Sequence, residues 1–125
     1  MSSYESEDVK VRRISRGRYF EVSFIDGDVF KCKSELVKQV ASQIPDITPE
    51  EIAPILVRIQ AKARKNSHRV VKLNFRIEDC VGKVLKALLG VMDCESVREL
   101  IENLTIQETE ELFNAEDPLE VLDTF

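Results

Sequence analysis

Two stretches of the chain concentrate side chains able to do chemistry. In VVKLNFRI, residues 70–77, Lys72, Asn74 and Arg76 fall on alternate positions and so share one face. Val71, Leu73, Phe75 and Ile77 share the other face. In KVRRISRGR, residues 10–18, Lys10, Arg12, Arg13, Arg16 and Arg18 place five positive charges within nine residues. Guanidinium and ammonium groups at that density suit phosphate oxygens or an acidic partner.

Other chemistry is thinly supplied. His68 has no Cys, Asp or Glu at metal-ligand spacing, so neither a zinc site nor a catalytic pair is expected of it. Gly17, Gly27, Gly82 and Gly90 form no G-x-G-x-x-G and no P-loop. Cys32, Cys80 and Cys94 are odd in number and lack C-x-x-C spacing. A reducing compartment fits them better than a disulfide framework. The carboxylates of Glu108, Glu110 and Glu111 sit in polar helical surroundings with nothing to raise a pKa. The expectation is a protein that is not an enzyme and uses no cofactor or metal.

The elements that must position the two basic stretches follow from periodicity. A chain of 125 residues, 43% hydrophobic and 33% charged, has the length and composition of a globular domain. No apolar run nears the roughly 20 residues of a membrane span, and MSSYESEDVK lacks the apolar centre of a signal peptide. A cytoplasmic protein without a membrane partner is expected. Residues 1–77 carry 15 Lys/Arg against 10 Asp/Glu, and residues 78–125 carry 3 against 13. The split is expected to give a basic surface and an acidic end with different work, the alternative for the last 20 residues being a solvated tail that only aids solubility.

Residues 1–18 read as a flexible basic arm, with Gly17 and little apolar content. Residues 19–66 read as a hairpin followed by two helices. Phe20, Val22 and Phe24 alternate with polar residues, Asp26-Gly27 predicts a type I′ turn, and Phe30 and Cys32 resume the inward face. Ser34 is expected to cap the helix SELVKQVASQI, which Pro45 ends. Thr48 and Glu51 predict a capping box with Pro49 at the first helical position, and Ile52, Ile55, Leu56, Ile59 and Ala63 form its apolar stripe. The two subregions meet near Asn66-Ser67. Residues 67–104 then read as the strand, a helix from about Asp79 closed by Gly90, and another from near Asp93. Residues 105–125 form an acidic helical tail, with a second capping box at Thr105 and Glu108 and the spaced apolar residues Leu119, Leu122 and Phe125. The fold class is α+β: an N-terminal hairpin and two helices, then a strand followed by helices and the acidic tail.

The order strand, helix, tight connection, helix across 71–104 resembles the ribbon-helix-helix domains of Arc- and MetJ-type repressors. A lone strand leaves unpaired backbone groups that a second copy of itself would satisfy, and a two-stranded ribbon fits the DNA major groove. The resemblance implies a dimeric DNA-binding regulator in which Lys72, Asn74 and Arg76 read base edges. Asn and Arg carry the forked donors and acceptors that suit adenine and guanine. It further implies a dimer core from Leu73, Phe75, Val84, Leu85, Leu88, Val97, Leu100 and Ile101, with Arg12, Arg13, Arg16 and Arg18 on phosphates. Asp93 and Glu95 depart from the family, whose second helix grips a phosphate at its start. The alternative is a non-enzymatic interaction or assembly factor, loosely similar to small phage tail-assembly chaperones. Leu119, Leu122 and Phe125 would then dock in the groove of a protein partner.

Overall fold

The computed structural model describes residues 3–5, 8–66 and 80–125. The chain is α+β: an N-terminal antiparallel sheet precedes six helices among the described residues. It divides into two compact units, Met1–Val57 and Arg58–Phe125.

The first unit is built on the strands β2 (Val9–Ile14), β3 (Tyr19–Phe24) and β4 (Val29–Lys33), each antiparallel to the next. A short β1 (Ser3–Glu5) pairs with β2 at the edge. Period-two alternation decides the faces. Val9, Val11, Phe20, Val22, Phe24 and Cys32 are buried on one side. The rings of Phe24 and Phe30 meet edge to face at 5.8 Å. Val37, Val40 and Ala41 of α1 (Ser34–Ala41) and Ile52, Ile55 and Leu56 of α2 (Pro49–Asn66) complete the buried set. Burying each Val, Leu, Ile or Phe among them contributes about 1.5–3 kcal/mol.

Residues 9–18 are therefore not a flexible arm. Val9 and Val11 supply the inward positions that turn a basic stretch into a strand, and residues 15–18 form its turn into β3. Two local expectations are also corrected. The β3–β4 turn is not type I′: Phe24 N donates to Asp28 O at 2.8 Å, Gly27 N donates to Phe24 O at 3.0 Å, and Gly27 rather than Asp26 takes the positive φ (+98°). This is the three-residue loop in which a type I turn ends in a left-handed glycine. Nor does Ser34 cap α1. Lys33 holds the cap position without a side-chain bond, and Ser34 is the first helical residue.

The capping box of α2 forms as its sequence predicts. Thr48 N donates to Glu51 Oε1 at 3.1 Å and Glu51 N to Thr48 Oγ1 at 3.3 Å. The division between units falls inside this helix, not at Asn66-Ser67. The cause is visible in its last turns. Arg58 pairs with Glu102 at 2.6 Å, and Lys62 donates to the carbonyls of Ile101 and Leu104.

The second unit continues with α3 (Gly82–Leu89), entered through a wider turn at Cys80 and Val81, and α4 (Cys94–Asn103). Then follow α5 (Ile106–Asn114) and α6 (Pro118–Leu122). Gly90 ends α3 in a right-handed conformation (φ −74°), so no left-handed cap is used there. Thr105 and Glu108 form the expected box on α5, and Asp117 accepts from Glu120 N to start α6. No helix is long and apolar enough to cross a membrane.

Candidate nucleic-acid interface

The side of the sheet opposite the core carries the chemistry. Lys10 and Arg12 alternate with Val9 and Val11 on β2, and Lys31 and Lys33 alternate with Cys32 on β4. The register sets them in rows: Lys10 opposite Ser23, Arg12 opposite Glu21, Glu21 opposite Lys31, and Tyr19 opposite Lys33. All four cations are exposed, and Tyr19, Glu21 and Ser23 between them are half-buried. The open face thus holds four cations with the Glu21 carboxylate among them, and the register sets Glu5 of β1 opposite Lys10. Arg12 Nε donates to Glu21 Oε1 at 2.7 Å, yet its side chain is 62% exposed. Exposed pairs of this kind hold by about 0–1 kcal/mol, so a phosphate can displace the carboxylate.

The turn after β2 extends this surface. Gly17 N donates to Ile14 O at 3.1 Å and Arg18 N to Ser15 O at 3.2 Å. Ser15, Arg16 and Gly17 all take positive φ (53°, 58° and 81°), which glycine adopts freely and the other two do not. Arg16 and Arg18 are exposed on it.

Of the four arginines expected on phosphate, Arg12, Arg16 and Arg18 lie on the open face or its adjoining turn and Arg13 does not. Arg13 is on the core side of β2. Its Nε and Nη2 donate to Glu50 Oε1 at 3.2 and 3.0 Å, and its guanidinium lies over the Phe20 ring at 5.3 Å. The reason is parity: adjacent strand residues point to opposite faces, so Arg12 and Arg13 cannot both face outward. Lys31 and Lys33 escaped the sequence reading as site residues, although their spacing around Cys32 carries the same signal as Lys10 and Arg12.

The three expected base readers, Lys72, Asn74 and Arg76, lie outside the described residues, as do Leu73 and Phe75. The helices after them are described. Val84, Leu85, Leu88, Val97 and Ile101 are all essentially inaccessible within the single chain, so a second copy is not required to cover them, while Leu100 is half-buried. Nor does the start of α4 offer a phosphate grip. Asp93 Oδ1 accepts from Ser96 N at 2.8 Å, and this bond holds its carboxyl below the usual range. The helix end already has its anion. Leu119 and Leu122, expected to dock on a partner, are half-buried on α6, which packs against α3 and α5 of its own chain. Phe125 is 43% exposed.

Among the described residues, no group of three His, Cys, Asp or Glu side chains could hold a metal ion. No protein-family model, no curated protein and no solved structure matches the chain.

Proposed function

We propose that the protein is a non-enzymatic DNA-binding protein that grips the phosphate backbone with the open face of its N-terminal sheet. One observation carries this reading: Lys10, Arg12, Lys31 and Lys33 are brought from two separated stretches onto one exposed face, with Arg16 and Arg18 on the adjoining turn. A run of charge in sequence scatters over a surface by default, whereas here the register gathers it. Neutralising several phosphates releases condensed counterions, which gives affinity without reading sequence. Base readout by Lys72, Asn74 and Arg76 in a ribbon-helix-helix manner is the accompanying proposal for specificity, and a regulator of transcription is the role that would follow.

The test is a titration into a pool of short random duplexes between about 50 and 200 mM salt, where the affinity should fall steeply. A Lys10→Gln/Lys31→Gln/Lys33→Gln variant should bind more weakly and lose roughly one unit of log–log salt slope per cation removed. A K72A/N74A/R76A variant should keep the salt slope and lose sequence preference. Binding that ignores both salt and the sheet variant would end the backbone proposal. A sequence preference untouched by the second variant would end base reading by the strand.

A further inference from the structure

Tyr19 stands at one end of the open face, and its surroundings differ from the rest of that face. The register sets it between Ile14 of β2 and Lys33 of β4. That row holds no carboxylate, whereas the next holds Glu21 between Arg12 and Lys31. Parity turns Tyr19 outward, because Phe20, Val22 and Phe24 take the inward positions of β3. Ile14, directly across the ladder and half-buried, extends the apolar surface beside it.

Tyr19 also lines a cleft of about 450 Å³. Arg18, Lys33 and Lys38 line it too, all three exposed, with Glu35 as the one carboxylate. Among the described residues no second ring and no guanidinium is stacked on Tyr19. An aromatic side chain with cations on several sides is thus open to a ligand.

Cations alone would serve any DNA backbone, but a ring among them serves another part of the nucleotide. In a duplex the flat faces of the bases are covered by their neighbours, out of reach of a side chain on a sheet. An unpaired base offers its face, and stacking on an aromatic ring demands no particular sequence. Sheets that bind single strands combine these same two parts, cations along the backbone and rings under the bases.

We propose that this end of the open face takes single-stranded DNA, one base stacking on Tyr19 while Arg18, Lys33 and Lys38 hold the flanking phosphates. This rests on the DNA-binding reading and narrows it: the backbone grip is the same, and the strand gripped here is unpaired.

The chain has two tyrosines and no tryptophan, so Tyr4→Phe leaves Tyr19 as the one strong fluorophore. In that background the full chain is titrated with a short oligothymidine, an abasic strand of the same length, and a duplex of that length. Oligothymidine should quench the Tyr19 emission and bind about tenfold more tightly than the abasic strand. The duplex should bind more weakly than oligothymidine. With dye-labelled DNA and anisotropy as the readout, Tyr19→Phe should keep the oligothymidine advantage and Tyr19→Leu should lose it. Both variants should bind the abasic strand as wild type does, which reports that the sheet and its cations are intact. Equal binding of oligothymidine and the abasic strand, without quenching, overturns stacking and leaves the backbone grip standing. A Tyr19→Phe variant as weak as Tyr19→Leu also overturns it, since the hydroxyl and not the ring would then carry the contact. A duplex bound more tightly than oligothymidine overturns the preference for unpaired DNA. A wild type that binds none of the three at low salt removes the DNA-binding reading, and this proposal with it.

Discussion

Arg13 and Glu50 join β2 of the N-terminal sheet to the first turn of α2, through two donations to one carboxylate oxygen at 3.0 and 3.2 Å. Glu50 is buried, and Arg13 also covers the Phe20 ring. Breaking a part-buried charged pair leaves one charge without compensation. Glu50→Gln should therefore lower unfolding free energy by about 1.5–3 kcal/mol, the range for hydrogen bonds to charged groups. Denaturant titration reads this directly. The same variant should bind DNA as wild type does, because Arg13 faces away from the basic surface. A Glu50→Gln variant of unchanged stability would show the pair to be ornamental.

Lys62 performs for α4 what α4 does not do for itself. No basic residue stands in the last turn of that helix. Lys62 reaches from α2 to donate to the Ile101 and Leu104 carbonyls, which lie where the helix dipole is negative. Lys62→Met keeps the aliphatic stem and removes the charge, so packing is held constant. Its expected cost is about 1–2 kcal/mol, measured as a lowered denaturation midpoint. Lys62→Arg should recover part of that loss, and no loss with methionine would refute the capping role.

Gly27 is needed for its backbone. Its φ is +98°, and no atom stands near the position a Cβ would take. Any destabilisation by Gly27→Ala is then conformational rather than steric crowding. A cost of about 1–2 kcal/mol is expected, the scale of left-handed strain in an L-residue. Gly27→Asn should cost less, since Asn tolerates that region. Equal losses for alanine and asparagine would contradict this account.

Local signals were the most legible part of the sequence. Both capping boxes, the β3–β4 hairpin and the helices 82–89, 94–103 and 106–114 stand where spacing put them, because each depends on residues within one or two turns. The strand in residues 9–18 is masked in the sequence because arginines outnumber valines there, although Val9 and Val11 at period two suffice once β3 supplies a partner. Charge density hid the strand. The site was half legible for the same reason. The basic residues of 10–18 were visible as a cluster, but Lys31 and Lys33 join them only through a strand register that no single stretch encodes. Ser34 reads as a cap because a serine before an apolar helical stripe usually is one, whereas in the fold it is the first helical residue and its hydroxyl has no partner.

Cys32 offers a pH test of the same core. It lies in β4 between the two surface lysines, and burial pushes its thiol from near 9.0 up to about 11. The folded state thus keeps the proton over a range in which the unfolded chain releases it. Stability is unaffected by this group below pH 9 and falls as pH rises from 9 to 11, because the unfolded state then binds fewer protons. The full effect is about 3 kcal/mol, since the shift spans two pKa units at about 1.4 each. Cys32→Ala removes the term, so the stability difference between wild type and variant should hold level to pH 9 and narrow above it. Thiol reagents at pH 8 should modify the half-buried Cys80 and Cys94 before Cys32, which should react only on unfolding. A Cys32 labelled as fast as the other two, or a stability difference that stays flat to pH 11, would mean that the inner face of the sheet is wet, and the alternation that turns Lys31 and Lys33 outward would fall with it.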